Sequence, residues 1–133
     1  SDMHLKNYSL VYRDDGTVGL SPAYDLLATK LVVPQDREDV ALTMGGKKSR
    51  LNRQDFFKFA AYCKISPKAC ENVFKKLEKN LDTFKRLIEM SFLSDEMAQK
   101  YLELINERAQ RLDFTVSKNF LELNANRISI NRK

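Results

Sequence analysis

Three polar residues near the start of the chain have side chains that could support phosphoryl chemistry. Asp2 and Asn7 stand five positions apart, and a second carboxylate, Asp25, follows after a predicted turn. A D-x-x-x-x-N spacing suits a loop base that accepts a hydroxyl proton and an amide oxygen that binds a metal ion. Amide and carboxylate oxygens are hard ligands of the kind that Mg²⁺ prefers. Taken singly, each residue is explained more simply by a helix cap or a turn, so only their combination is informative.

The segment between Asn7 and Asp25 predicts a β-hairpin. Two β-favourable runs flank the Asp-Gly pair at 15–16, which is a strong signal for a tight turn. If that pair forms a two-residue loop, position 14 pairs with position 17, and the extended register brings Asn7 opposite Tyr24. We therefore expect Asn7 and Asp25 to lie together at the open end of the hairpin.

Two further short elements are predicted before residue 46. Ser21 and Pro22 should end the second strand and begin a helix over residues 23–28, because serine caps helices and proline suits the first helical position. Residues 39–44 could form another strand, which a pair of glycines would end.

Beyond residue 46 the hydrophobic period changes from two to about 3.6, which predicts helices. Asn52 should cap a helix that reaches about Cys63, and Ser94 should open the last long helix. Between them, Ser66 and a following proline should start a helix whose apolar stripe continues to Ile88.

The predicted fold class is therefore mainly α, with a short N-terminal β-hairpin followed by a helical bundle. We expect a single domain over residues 1–133. Residues 1–46 would contain the catalytic loop, the hairpin and the metal-binding segment, and residues 47–133 would form the bundle.

Composition argues against several classes of protein. The chain is 43% hydrophobic and 31% charged, as soluble globular proteins are. No stretch approaches the roughly 20 apolar residues of a membrane span, and no signal-peptide pattern is visible, so we expect a cytoplasmic location. A single histidine and two cysteines match no zinc spacing. The motif-like stretch that follows Ser1 directly suggests a fragment of a larger protein.

The polar motif resembles a known family. N-x-D-x-H-x-K-N-x-S followed by P-x-Y-D is similar to HipA, the serine/threonine kinase toxin of bacterial toxin–antitoxin modules, and the chain resembles part of its C-terminal lobe. The leading asparagine of the motif would precede Ser1, and residues 41–46 also resemble a segment of the family. The matching residues are Asp2, His4, Lys6, Asn7, Ser9, Pro22, Tyr24 and Asp25.

The resemblance implies a role for each site residue. Asp2 would be the catalytic base, and Asn7 and Asp25 would bind Mg²⁺. The nucleotide would be contacted by His4, Lys6 and Tyr24. The resemblance further implies phosphorylation of a protein serine with ATP, and a HipB-like antitoxin of the helix-turn-helix type as partner, with DNA approached through that antitoxin. Because the half that would hold ATP is missing, the isolated chain is expected to be inactive.

Other functions stay open at the level of sequence. The chain has a net charge of +5, and a basic stretch contains Lys47, Lys48, Arg50 and Arg53. Such a stretch could contact a phosphate backbone, although a solvated surface explains it equally well. The alternatives are therefore a non-catalytic helical module that binds an antitoxin or nucleic acid, and a plain helical scaffold.

Overall fold

A β-hairpin followed by helices makes up the regular structure of the computed structural model, which describes residues 4–33 and 35–125. Residues 1–51 and residues 52–133 form two compact units. The first contains a 3₁₀ turn at Leu5–Asn7, the strands β1 Leu10–Tyr12 and β2 Val18–Leu20, and the short helix α1 Thr29–Val32. The second contains the helices α2 Arg53–Tyr62, α3 Pro67–Lys79, α4 Leu81–Glu89 and α5 Asp95–Arg111. The predicted fold class, mainly α with an N-terminal hairpin, is confirmed.

The hairpin has a different register from the one predicted. Leu10 pairs with Leu20, one position earlier along β2 than a two-residue loop requires, and Val11 pairs with Gly19. The expected pairing of Asn7 with Tyr24 is therefore wrong. Extension of the observed register brings Tyr24 opposite Lys6 instead.

A three-residue loop causes this shift. The amide of Gly16 donates to the carbonyl of Arg13 at 2.9 Å, and the amide of Arg13 donates to the carbonyl of Thr17 at 2.9 Å. The last residue of a three-residue hairpin loop adopts the left-handed conformation, and Gly16, which stands at that position, has a φ of +79°. Asp15 Oδ1 completes the loop by accepting bonds from the Thr17 amide and hydroxyl, at 2.9 and 2.7 Å.

The two other short elements predicted in this unit are absent from the described residues. Residues 23–28 are not helical, because Asp25 has a φ of +53°, which a right-handed helix cannot contain. Residues 39–44 do not form a strand, because the amides of Asp39 and Val40 both donate to the Lys48 carbonyl and close the segment into a loop. An isolated bridge pairs Met44 with Lys47 across the two glycines.

Three of the four described helices of the second unit, α2, α3 and α5, begin where the sequence predicts. Asn52 accepts a hydrogen bond from the Asp55 amide, and the Asp55 carboxylate accepts one from the Asn52 amide, each at 3.1 Å, which is a capping box. Ser66 caps α3 and Ser94 caps α5 through their hydroxyl groups, each at 3.2 Å. Each cap satisfies an amide that the first helical turn leaves without a partner.

The predicted long helix after Ser66 is divided in two. α3 ends at Lys79 and α4 begins at Leu81, with Asn80 between them. The Asn80 side chain donates to the Lys76 carbonyl at 2.7 Å, so it competes with the backbone for that acceptor. The apolar stripe continues across the break, which is why the sequence pattern did not reveal it.

An apolar core holds α2 to α5 together. Phe74 of α3 lies at its centre, with ring centroids 5.9, 5.6 and 5.7 Å from those of Phe56, Phe57 and Phe114. Ala98 and Leu102 of α5 have no exposed surface. Between α4 and α5 an apolar groove of about 460 Å³ is lined by Phe84, Leu87, Ile88, Ser91, Leu93, Tyr101 and Ile105. None of the helices in the described parts of the chain has the length and apolar character to cross a membrane.

Candidate functional site

The first unit contains the site residues that the sequence predicts. Asp2, the predicted base, lies outside the described residues. The structure describes the other five, which are His4, Lys6, Asn7, Tyr24 and Asp25. All five lie next to the open end of the hairpin, at positions 4–7 before β1 and 24–25 after β2.

A single 3₁₀ turn presents Asn7. The Asn7 amide donates to the His4 carbonyl at 2.9 Å, and the amide of Tyr8 donates to the Leu5 carbonyl at 3.2 Å. Asn7 is only 5% exposed, whereas His4 and Lys6 are exposed. Burying an amide side chain is costly unless it is bonded, so this position holds a polar group in a fixed place.

Tyr24 connects the segment after β2 to the segment before β1. Its hydroxyl lies 2.6 Å from Oγ of Ser9 and donates to the carbonyl oxygen of Lys6 at 3.2 Å. Asn7 and Asp25 are the direct neighbours of Lys6 and Tyr24 in sequence. The second hydrogen bond therefore joins the two segments that carry the predicted metal ligands.

One backbone bond extends the hairpin toward this end. The amide of Ser21 donates to the Ser9 carbonyl at 2.8 Å, one step beyond the paired strands. The next bond of the ladder would come from the Asn7 amide, but that amide donates to the His4 carbonyl instead, so the ladder loses that bond. From this point the tyrosine side chain, rather than the ladder, links the two segments.

Asp25 is exposed and has an unusual backbone conformation. Its φ of +53° lies in the left-handed region, which is uncommon for residues other than glycine, although aspartate and asparagine tolerate it best. Strained conformations of this kind concentrate at functional sites, where the surrounding structure holds them in place. The exposed carboxylate leaves room for water and for a ligand.

The residues after Asp25 are anchored by polar contacts within the same unit. Lys30 forms an ion pair with Asp39 at 2.9 Å, and the Asp39 side chain is only 4% exposed. The hydroxyl of Thr29 donates to Asp36 Oδ2 at 3.0 Å. These contacts fix the short helix α1 and so limit the positions that the chain after Asp25 can take.

The sequence did not predict the contact of Ser9 with Tyr24. Ser9 belongs to the motif, but it was assigned no role in the site. This contact depends on the hairpin register, because a three-residue loop places Tyr24 opposite Lys6 and within reach of Ser9. The predicted two-residue loop gives a different register, in which the contact is not expected.

The basic stretch is partly neutralised by neighbouring acids. Lys48 lies 3.2 Å from a Glu38 carboxylate oxygen, and Arg53 lies 2.7 Å from one of Glu71. At least two of the four cations that could meet a phosphate backbone, Lys48 and Arg53, thus form ion pairs with carboxylates. This arrangement weighs against the nucleic-acid interpretation.

The donor set limits the kind of metal that the site could hold. Among the described residues no group of three or more histidine, cysteine, aspartate or glutamate side chains is placed to bind a metal. An amide and a single carboxylate are too few for a site built from protein ligands alone. They fit Mg²⁺, which usually keeps several waters and takes further oxygens from a bound phosphate.

Comparisons with known proteins agree with the motif. A profile of the family described as "HipA-like C-terminal domain" matches residues 1–84. The chain is also similar to a protein of Sinorhizobium fredii (strain NBRC 101917 / NGR234) named "Putative kinase Y4dM", with 31% identity over 113 residues. That alignment covers 84% of this chain and 27% of the relative, so the chain spans about a quarter of that relative's length.

Proposed function

The chain belongs to the family of HipA-like C-terminal domains, and from that premise we propose that its protein is a kinase that phosphorylates a protein serine or threonine with Mg-ATP. The observation that carries this proposal is the hydrogen bond from the Tyr24 hydroxyl to the Lys6 carbonyl, which joins the segments of the two candidate metal ligands. The name of the relative as a kinase adds support.

Asn7 and Asp25 are the proposed Mg²⁺ ligands. An amide oxygen and a carboxylate oxygen are the hard donors that Mg²⁺ accepts. When bound, the ion would neutralise negative charge on the phosphates of ATP. Asp25 would contribute more to metal affinity than Asn7, because a carboxylate carries a negative charge and an amide does not.

The remaining motif residues take roles around the nucleotide in this proposal. Asp2 would accept the proton of the substrate hydroxyl as general base. Lys6 is exposed, as a cation that contacts phosphate must be, and His4 is exposed beside it. Because the Tyr24 hydroxyl is engaged by Ser9 and Lys6, Tyr24 would meet the nucleotide through its ring.

We propose that this chain supplies only part of the active site. Kinases also use a Gly-rich loop and a strand lysine to hold the phosphates, and none of the four glycines here stands in a G-x-G-x-x-G pattern. Since phosphoryl transfer depends mainly on positioning and electrostatics, the isolated chain should be inactive.

The toxin role and the partner are proposals that rest on the family. The protein would act as the toxin of a toxin–antitoxin pair, with a HipB-like helix-turn-helix antitoxin as partner and DNA contacted through that antitoxin. Growth arrest on expression of the full-length protein, relieved by the Asp25→Asn change or by co-expression of a HipB-like antitoxin, is the outcome that this part predicts.

The function is tested in the full-length protein with Asp25→Asn. Asparagine tolerates the left-handed backbone of this position as well as aspartate does, so the change removes the charge without adding strain. Phosphoryl transfer from γ-labelled ATP should fall by about 100-fold or more, the scale of losing one preorganised electrostatic contact.

Two further variants make that test specific. Asp25→Ala adds backbone strain to the loss of charge, and it should be at least as inactive. Lys58→Ala, an exposed site on α2 in the second unit, should keep the parental rate. If the Asp25→Asn protein transfers phosphate at the parental rate, the proposed metal site is wrong.

A further inference from the structure

We propose that Ser9 and Tyr24 are positioning residues, whose hydroxyl groups hold Asp25 in place relative to Asn7 and thereby set the affinity of the site for Mg²⁺. The contacts of the Tyr24 hydroxyl with Ser9 and Lys6, which we call the tether, are present in the structure. The role of the tether in metal binding rests on the proposed function.

The direction of the two hydrogen bonds follows from counting protons. The Tyr24 hydroxyl has one proton, and the Lys6 carbonyl can only accept, so that proton is donated to Lys6. In the 2.6 Å contact with Ser9, the serine must then donate to the tyrosine oxygen. The result is a chain from Ser9 through Tyr24 to Lys6, in which each bond polarises the next.

The site needs this tether because the hairpin gives little support of its own. β1 and β2 pair over three residues each, and a two-stranded hairpin is only marginally stable. Beyond the Ser21 amide the ladder loses its next bond, because the Asn7 amide donates to the His4 carbonyl of the 3₁₀ turn. The Tyr24 hydroxyl supplies a side-chain link from position 24 to Lys6, in the turn that carries Asn7.

The backbone of Asp25 is a second, independent indication. A left-handed conformation persists where neighbouring structure over-determines it. Asp25 follows the tethered residue directly and has a φ of +53°. The tether on one side and the contacts of α1 on the other, such as the ion pair of Lys30 with Asp39, hold the strained residue between them.

The experiment compares Tyr24→Phe, Ser9→Ala and the double variant in the full-length protein. Mg²⁺ affinity is measured by calorimetry in the presence of a non-hydrolysable ATP analogue. Tyr24→Phe removes both hydrogen bonds and should raise the dissociation constant by about tenfold, whereas Ser9→Ala removes one and should raise it by about threefold to fivefold. The double variant should match Tyr24→Phe, because the serine has no partner left to lose.

Two additional measurements separate positioning from general damage. Ser9→Thr keeps a hydroxyl and should retain the parental Mg²⁺ affinity. Hydrogen exchange of the Ser21 amide, which bonds to the Ser9 carbonyl, should accelerate in Tyr24→Phe even without metal.

The outcomes distinguish this inference from the proposed function. If Asp25→Asn loses Mg²⁺ while Tyr24→Phe binds it at the parental affinity, the metal site stands and the positioning role is refuted. If Asp25→Asn also binds Mg²⁺ normally, the proposed function fails and takes the positioning role with it. Additive losses from the two single variants, or an unchanged exchange rate at Ser21, would also overturn the tether.

Discussion

The guanidinium carbon of Arg53 lies 4.7 Å from the centroid of the Phe74 ring, over the centre of the helical core. The same guanidinium donates two hydrogen bonds to the Glu71 carboxylate, at 2.9 and 2.7 Å, and one to the Leu112 carbonyl at 3.2 Å. Arg53 thus connects the start of α2 to α3 and to the end of α5. From the sequence, Arg53 was a possible phosphate contact, but in the structure its side chain links three helices of the second unit.

Arg53→Lys should destabilise the helical unit. Lysine keeps the charge, but its single ammonium nitrogen cannot replace the two terminal nitrogens of Arg53, of which one bonds the Glu71 carboxylate and the other the Leu112 carbonyl. It also cannot place a planar guanidinium over the Phe74 ring. The side chain of Arg53 is 25% exposed and that of Glu71 is 36% exposed, so solvent screening limits the expected loss to about 1–2 kcal/mol in the free energy of unfolding. Urea denaturation measures this loss.

Arg86→Lys is the matched control for that measurement. Arg86 is exposed on α4, and an exposed substitution of this kind should change the unfolding free energy by less than about 0.5 kcal/mol. Equal stability of the Arg53→Lys and Arg86→Lys proteins would show that the Arg53 contacts contribute nothing net.

The hairpin turn should be sensitive to acid through Asp15. The Thr17 hydroxyl, and after it the Thr17 amide, hold the pKa of the Asp15 carboxyl below its ordinary value of 3.8. A lowered pKa means that the ionised carboxylate stabilises the turn above pH 3.8, and that this contribution is lost as the pH falls through the lowered pKa. Thr17→Val should move the pKa of Asp15 back toward 3.8 in a carboxyl NMR titration.

Thr17→Ser tests the cause assigned to that pKa. Serine keeps the hydroxyl and the amide, so the pKa of Asp15 should stay low. If the valine and serine variants titrate alike, the hydroxyl of Thr17 does not determine the pKa of Asp15.

The sequence predicted helix starts well because their signals are local. Asn52, Ser66 and Ser94 each cap a helix by bonding an amide three residues later, so a window of four residues contains the whole signal. The break at Asn80 is equally local, but an apolar stripe that continued across it concealed it.

Register and loop conformation were harder to predict. An Asp-Gly pair suits a two-residue loop and also a three-residue loop that ends in left-handed glycine, and the sequence does not choose between them. A single backbone angle at Asp25 removed the predicted helix over 23–28. The site residues could be named from their types and spacing, but the contact of Tyr24 with Ser9 depends on the register and could not.

Asp2 and Asn7 should affect catalysis in different ways in the full-length protein. Asp2→Ala should abolish phosphoryl transfer and leave Mg-ATP binding largely intact, because a base accepts a proton without holding the nucleotide. Asn7→Ala should weaken Mg-ATP binding as well as transfer, since it removes a metal ligand, but less than Asp25→Ala does, since an amide carries no charge. Rates with γ-labelled ATP and Mg-ATP affinities are measured in parallel, with Lys58→Ala as the control.

Because Asn7 is 5% exposed, thermal melting of each variant must accompany these measurements. An Asn7→Ala protein that keeps both the parental melting temperature and the parental affinity for Mg-ATP would remove Asn7 from the metal site. Loss of Mg-ATP binding in Asp2→Ala, with the fold intact, would contradict the role of Asp2 as a base and reassign it to the metal.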